Sequence, residues 1–319
     1  MKLEKFIQNG WQMKIYKEND RILEKTVVAI GMFDGVHLGH KALLNEMFLI
    51  AKKKKLLPVV YTFSNHPVKE TKRKYLTLLS ERLFLLKEFG ISHVFIAELS
   101  REFMRMTPEE FFGREIISKV NASAVVVGEN FRFGIGRRGT VETLKGLGKK
   151  SGVLIKPVPL ISINGVTVSS SLIHSLIENG EVEKANTLLG YPFFVSGKVV
   201  KGKGIGRLLG FPTANVSYNN GYKVLPGRGV YVTFAEISGK VYESVTNVGL
   251  NPTFENANTV KIETHFLKVN EDLYGKEILL HFLKYIRPEK KFSSKEELIE
   301  KIKEDTEISR RYFKEHPLK

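Results

Sequence analysis

The sequence has no cysteine, two glutamines and one tryptophan in 319 residues. The missing thiols exclude disulfides, thiolate catalysis and cysteine-based metal sites. No apolar run reaches the ~18–20 residues that a membrane-spanning helix needs. Behind Met1-Lys2-Leu3-Glu4-Lys5-Phe6 there is no long apolar core, so no signal peptide and no membrane partner are expected. A cytoplasmic protein fits these absences. Acidic residues are also in short supply: 34 Asp and Glu face 50 Lys and Arg, for a formal net charge of +16. Such a surplus can attract nucleic acid. Here the lysines are spread along the chain, and many fall on helical faces, as in Lys52-Lys53-Lys54-Lys55. A solvated Lys/Glu surface accounts for them first. Attraction of anionic nucleotides comes second, and no nucleic-acid partner is expected.

Hydrophobic content of 42% and charged content of 26% describe a globular chain. Its length favours two domains. In the first half, strand-like runs at 27–30, 58–63, 93–98, 124–128 and 153–157 alternate with helical stretches at 39–55, 80–89, 107–119 and 140–150. Thr107-Pro108-Glu109-Glu110 is a capping box with Pro at the first helical position. Alternating β and α predicts a doubly wound parallel sheet, with ligands beyond the carboxyl ends of its strands. Asn164-Gly165, between Ile161-Ser162-Ile163 and Val166-Thr167-Val168, signals a hairpin turn.

After Gly190-Tyr191-Pro192 the helical periodicity stops. Short alternating runs at 191–200, 231–237, 240–248, 260–266 and 277–286 predict an antiparallel β-barrel. Ser294-Lys295-Glu296-Glu297 then opens a closing helix that runs to about Phe313. The helical stretch 181–189 is the expected hinge. The expected domains are therefore 1–185, α/β, and 186–319, barrel plus helix.

The most informative segment is Gly31-Met32-Phe33-Asp34-Gly35-Val36-His37-Leu38-Gly39-His40. It joins an apolar strand to an amphipathic helix. His37 and His40, three apart, share one helix face. Free N–H groups in the first helical turn favour an anion there. Gly39 removes a side chain that would block close approach. The arrangement is a phosphate cradle suited to ATP. A zinc site would need a third ligand and the H-E-x-x-H glutamate, and that glutamate is absent.

These residues resemble the H-x-G-H signature of the nucleotidyltransferase superfamily. The longer form, G-x-F-D-G-x-H-x-G-H, resembles the adenylyltransferase half of the bacterial bifunctional riboflavin kinase/FAD synthetase family. The resemblance implies that His37 and His40 are catalytic and that Gly31, Phe33, Asp34, Gly35 and Gly39 bind nucleotide. Asp34 is expected chiefly to shape the turn. Val127-Gly128-Glu129-Asn130-Phe131-Arg132-Phe133-Gly134 resembles a further family loop, implying phosphate contacts from Asn130 and Arg132. The overlapping Gly134-x-Gly136-x-x-Gly139 has the form of a dinucleotide fingerprint, but the acidic residue expected about 20 positions on is missing. Ser169-Ser170-Ser171-Leu172-Ile173-His174 resembles the superfamily's I-S-S-T-x-I-R motif, implying that Ser170 and Ser171 bind triphosphate. Ser171 stands where the motif has Thr, and His174 where it has Arg, which removes a permanent charge. Thr62-Phe63-Ser64-Asn65-His66-Pro67 resembles T-F-x-P-H-P except at Asn65 and adds His66 as a secondary candidate.

In the second half, Gly206-Arg207-Leu208-Leu209-Gly210-Phe211-Pro212-Thr213-Ala214-Asn215 resembles the flavokinase signature. The preceding run from Gly197 to Gly204 nearly matches a P-loop but lacks its final Ser/Thr. Gly202, Gly204, Gly206 and Arg207 can close over phosphates through backbone N–H groups. Thr213 and Asn215, two apart in an extended segment, can reach one metal–phosphate group; the resemblance implies Mg²⁺–ATP. Pro226-Gly227-Arg228-Gly229-Val230-Tyr231, Asn247-Val248-Gly249-Leu250-Asn251-Pro252-Thr253-Phe254, Ile262-Glu263-Thr264-His265 and Asp272-Leu273-Tyr274-Gly275 resemble further flavokinase segments. Read alone, Glu263 on a strand of apolar neighbours faces either a ligand cavity or solvent, and solvent is the commoner case. By resemblance it is the general base for the riboflavin 5′-hydroxyl. The implied activity is phosphorylation of riboflavin to FMN, then adenylylation of FMN to FAD with release of pyrophosphate. ATP, riboflavin, FMN and FAD are the implied small molecules, and a monomer is expected. A single-activity nucleotidyltransferase with a non-catalytic barrel, or a basic nucleic-acid-binding protein, are the alternatives.

Overall fold

The structure is a computed structural model that describes residues 13–64, 74–201, 211–218, 221–250, 260–269, 271–290 and 292–318. Two compact units divide the chain: Met1–Arg73 with Thr77–Ser170, and Lys74–Leu76 with Ser171–Lys319.

The first unit holds a six-stranded parallel sheet in the order β1-β4-β3-β2-β5-β6. Its strands are β1 (Lys14–Tyr16), β2 (Thr26–Ile30), β3 (Leu57–Phe63), β4 (His93–Ala97), β5 (Ala122–Gly128) and β6 (Leu154–Val158). Every residue of β2 is buried. Val28 and Ile30 join one core cluster, Val27 and Ala29 the other, so both faces are covered. That is how a central parallel strand can be apolar throughout. Helices α1 (Leu38–Lys54), α2 (Leu79–Glu88) and α5 (Val141–Ser151) connect strands, and α1 buries Leu43, Leu44, Met47, Ile50 and Ala51 along one stripe. Lys52, Lys53, Lys54 and Lys55 are exposed, as a solvated face requires.

Two short elements, β1 and α3 (Arg101–Arg105), lie outside the sequence expectation. The expected helix at 107–119 starts as α4 (Pro108–Glu110), with the Thr107 capping box formed. It then widens to π winding over Phe111–Lys119. The widening buries Glu115 so that it accepts from the Tyr61 hydroxyl at 2.8 Å and pairs with Lys119 at 2.9 Å. A small hairpin, β7 (Ser162–Ile163) and β8 (Val166–Thr167), turns at Asn164 and Gly165, both with positive φ as expected.

The second unit is a closed antiparallel barrel in the order β10-β13-β12-β11-β14-β9. It comprises β9 (Phe194–Val200), β10 (Thr213–Tyr218), β11 (Gly229–Ile237), β12 (Lys240–Leu250), β13 (Val260–Phe266) and β14 (Glu277–Arg287). Helix α8 (Lys295–Glu315) closes the chain, capped by Ser294. Asp305 anchors it by a two-oxygen ion pair to Arg287 on β14, at 2.7–3.1 Å. Helices α6 (Ser170–Glu178) and α7 (Val182–Leu189) precede the barrel. Gly227 N donates to the Ile177 carbonyl, and the Asn186 amide bonds Phe193 N and the Phe282 carbonyl.

Candidate functional site

The order of the parallel sheet reverses between β2 and β5. In open α/β sheets such a reversal opens a crevice at the strands' carboxyl ends. The segment Gly31 to His40 leaves β2 there, and Asn130 follows β5. The turn is strained: Phe33, Gly35 and Val36 have φ of 51°, 83° and 37°. A positive φ is costly for a β-branched valine and persists only where surroundings enforce it. Thr77 is one enforcer. Its N and Oγ1 donate to Asp34 Oδ1 at 2.9 and 3.0 Å, and Gly35 N donates to Thr77 Oγ1 at 2.9 Å. Ser170 Oγ adds a bond to the Asp34 carbonyl at 3.0 Å. Asp34 thus shapes the turn.

His37 is the N-cap of α1, its Nδ1 accepting from His40 N at 3.3 Å. A neutral ring accepting at Nδ1 carries its proton on Nε2. The His37 and His40 rings stack with centroids 3.6 Å apart, and Phe33 lies 5.2 Å from His40. A Cβ on Gly39 would come within 3.2 Å of the His37 ring, a tight contact that glycine avoids. Burial pushes His37 down to about 4. Burial, then His37, then Arg82 hold His40 well below the usual imidazole range. His40 Nδ1 is buried without a hydrogen-bond partner among the described residues. The pair is therefore neutral near pH 7 and offers directed N–H and N groups rather than charge.

Asn130 and Arg132 are exposed on their loop, and Ser171 is exposed at the start of α6. His174 sits 3.3 Å from Glu178 within α6. Gly139 is packed under Phe133, where a Cβ would fall 2.7 Å from the ring; it serves loop closure rather than a dinucleotide turn. His66, Gly202, Gly204, Gly206 and Arg207 lie outside the described residues, as do Asn65, Asn251, Pro252, Thr253 and Phe254.

On the barrel, Glu263 of β13 stands directly across from Asn215 of β10 and Asn247 of β12. Thr213 shares the face of Asn215 by the two-residue strand period. The result is a polar row, Asn215–Glu263–Asn247, on one side of three adjacent strands. Asn215 is 7% exposed, and its Oδ1 has no hydrogen-bond partner among the described residues. A buried, unpartnered carbonyl oxygen beside a carboxylate and a threonine hydroxyl suits a hard cation such as Mg²⁺, which takes oxygen ligands. Glu263 Oε1 also accepts from Lys261 Nζ at 2.6 Å. His265 Nδ1 lies 3.0 Å from the Pro212 carbonyl and holds the start of β10.

Lys261, Thr77 and Arg82 were not among the expected site residues. The period-2 spacing of Lys261 and Glu263 was a usable signal. Arg82 lies four before the buried Leu86, on the inner face of α2, a weaker one.

A FAD synthetase family model matches residues 19–172, and a riboflavin kinase family model matches residues 189–313. Fold and matches together define a nucleotidyltransferase unit followed by a flavokinase barrel. The bifunctional riboflavin kinase/FMN adenylyltransferase of Bacillus subtilis is 37% identical over 298 residues, 91% of this chain and 93% of its own. That of Escherichia coli K12 is 35% identical over 295 residues, 91% and 93% respectively. The chain belongs to the bifunctional riboflavin kinase/FMN adenylyltransferase family. A crystal structure described as a macrolide-efflux protein from Streptococcus pneumoniae shares the fold, with a TM-score of 0.85 and 30% identity over 93% of this chain and 98% of its own.

Proposed function

We propose that this protein phosphorylates riboflavin on its barrel and adenylylates the resulting FMN on its α/β unit. One observation carries the reading: a single chain holds both a neutral His pair at the switch point of a parallel sheet and a carboxylate flanked by two asparagines on a closed barrel.

On the barrel, Glu263 accepts the proton of the riboflavin 5′-hydroxyl. The oxygen attacks the γ-phosphorus of ATP, the β–γ bridging bond breaks, and ADP leaves. Asn215 and Thr213 would hold Mg²⁺, which when bound neutralises phosphate charge. Gly202, Gly204, Gly206 and Arg207 complete the proposed phosphate grip.

On the α/β unit the attacking group is the FMN phosphate, already anionic, so no base is required. Its oxygen attacks the α-phosphorus of ATP, and the α–β bridging oxygen leaves with pyrophosphate. His37 donates from Nε2, and the α1 N-terminus adds backbone N–H groups. Gly31, Phe33, Gly35 and Gly39 form the wall, with Ser170, Ser171, Asn130, Arg132 and His66 as further phosphate contacts. The two activities are assigned to residues 1–185 and 186–319. We read the enzyme as a cytoplasmic monomer acting on free small molecules, supported by its lack of cysteine and its dispersed lysines.

The deciding experiment incubates the protein with riboflavin, ATP and Mg²⁺ and separates the flavins over time. FMN should appear first and FAD should follow. FAD formed only from supplied FMN would leave a single-activity enzyme, and no flavin turnover would overturn the reading.

A further inference from the structure

Arg82 on α2 is fully buried. A guanidinium stays charged at any physiological pH and is costly to remove from water. Its Nη1 donates to the Phe63 carbonyl at 2.9 Å and to Thr62 Oγ1 at 3.3 Å, both at the carboxyl end of β3. Thr62 Oγ1 donates in turn to the Met32 carbonyl at 3.1 Å, inside the strained turn. A relay of hydrogen bonds therefore links α2, through β3, to the segment that carries His37 and His40.

We propose that Arg82 is a positioning residue of the adenylyltransferase site, fixing the turn through Thr62 and supplying a permanent positive charge on the His40 side of the cradle. The inference rests on the reading of that segment as the triphosphate cradle. Both histidines are held neutral, and the guanidinium is one of the groups that keep His40 so. His174 stands where the superfamily motif has arginine, so that motif carries no permanent charge here. Cleavage of the α–β bond leaves additional negative charge on pyrophosphate. A fixed cation in a water-poor wall stabilises that charge without reorganising at the moment of reaction.

The test compares Arg82→Met, Arg82→Lys and Thr62→Val in the full chain, assayed for FMN adenylylation and, separately, for riboflavin phosphorylation. Arg82→Met should lower kcat for FAD formation on the order of 10²-fold and weaken inhibition by added pyrophosphate about tenfold. Riboflavin phosphorylation should be unchanged. Arg82→Lys restores the charge but not the fork, so it should keep pyrophosphate inhibition while kcat recovers in part. Thr62→Val cuts the relay and leaves the charge, so kcat should fall with pyrophosphate inhibition intact. A purely structural role would give equal losses in the Met and Lys variants, with pyrophosphate inhibition unmoved in both, and would overturn the proposal. If Arg82→Met fails to fold, Arg82→Gln replaces it as the charge-removing variant: weakened pyrophosphate inhibition beside retained inhibition in Arg82→Lys supports the proposal, and inhibition unmoved in both overturns it. Full FAD formation in a His37→Ala, His40→Ala double variant would instead sink the cradle reading itself. Loss there with wild-type kcat in Arg82→Met would remove the Arg82 proposal alone.

Discussion

At the His37/His40 cradle both titratable side chains are held neutral, and Asp34, the one acid of the Gly31–His40 motif, is spent on the turn. On the barrel, by contrast, the Glu263 carboxylate stands in a polar row with an ammonium 2.6 Å away. The nucleophiles explain the difference. A sugar-chain hydroxyl is a weak nucleophile near pH 7 and needs a base, whereas a phosphate monoester is ionised before it arrives. On the proposed assignment, the protonation state of the attacking group accounts for the carboxylate at one site and its absence from the other.

Removing the base should have the largest effect. Glu263→Gln keeps the size and loses the proton acceptor, so riboflavin phosphorylation should fall about 10²–10⁴-fold. Conversion of supplied FMN to FAD should stay at wild-type rate. Loss of both activities in a folded protein, checked by circular dichroism, would break the division between sites.

The mirror experiment is His37→Ala with His40→Ala. FAD formation should fall on the order of 10²–10³-fold, because directed donors at the transferring phosphate are removed. FMN should then accumulate from riboflavin and be visible on chromatography of the flavins.

These contrasts were unevenly legible in the sequence. The bounds of β13, 260–266, are those expected from alternation alone, because alternate side chains face opposite sides of one wall. The strand before the cradle was equally plain, since β2 is apolar on both faces. Lys14–Tyr16 escaped because three residues carry no period. The π winding at Phe111–Lys119 escaped because periodicity reports that a helix exists, not its hydrogen-bond spacing. In the candidate site, motif resemblance pointed to the imidazoles and Glu263. It could not find Thr77, whose two hydrogen bonds to Asp34 cross 43 residues of chain. Such partners are set by tertiary packing, which no local pattern encodes.

The neutrality of the cradle has a pH signature. His37 lies at about 4 in the folded protein, against 6.5 ordinarily, mainly through burial, and His40 is shifted the same way. Below pH 6.5 the unfolded chain therefore binds protons that the folded chain refuses. Stability from this pair is fully present above pH 6.5 and is lost as pH falls toward 4. The melting temperature of the wild type should drop across that window more steeply than that of the double His→Ala variant. Parallel slopes would show that the rings are not buried neutral, and the contrast with the barrel would weaken.

The smallest expected effect concerns where the barrel begins. Residues 186–319 contain Thr213, Asn215, Glu263 and α8, so this fragment should fold and phosphorylate riboflavin on its own. Its first residue, however, falls inside α7, whose Val182, Ala185, Leu188 and Leu189 are buried. A start at Ser171 keeps α7 whole and keeps the Ile177 carbonyl that accepts from Gly227 N. Both fragments lack Lys74–Leu76, so each loses the backbone pairing of Tyr75 with Tyr222 and Val224. The comparison between them therefore isolates α6 and α7. Restoring Val182 and the first turn of α7 is worth about 1–2 kcal/mol of burial, which for a domain of this size raises the melting temperature by roughly 2–8 °C. Thermal melts of the two fragments measure this directly, with FMN production recorded beside them. Equal melting temperatures would show that α6 and the start of α7 contribute nothing to the barrel. A longer fragment that folds cooperatively yet makes no FMN would mean that the kinase site draws on the first unit, and the comparison of two self-sufficient sites would fail.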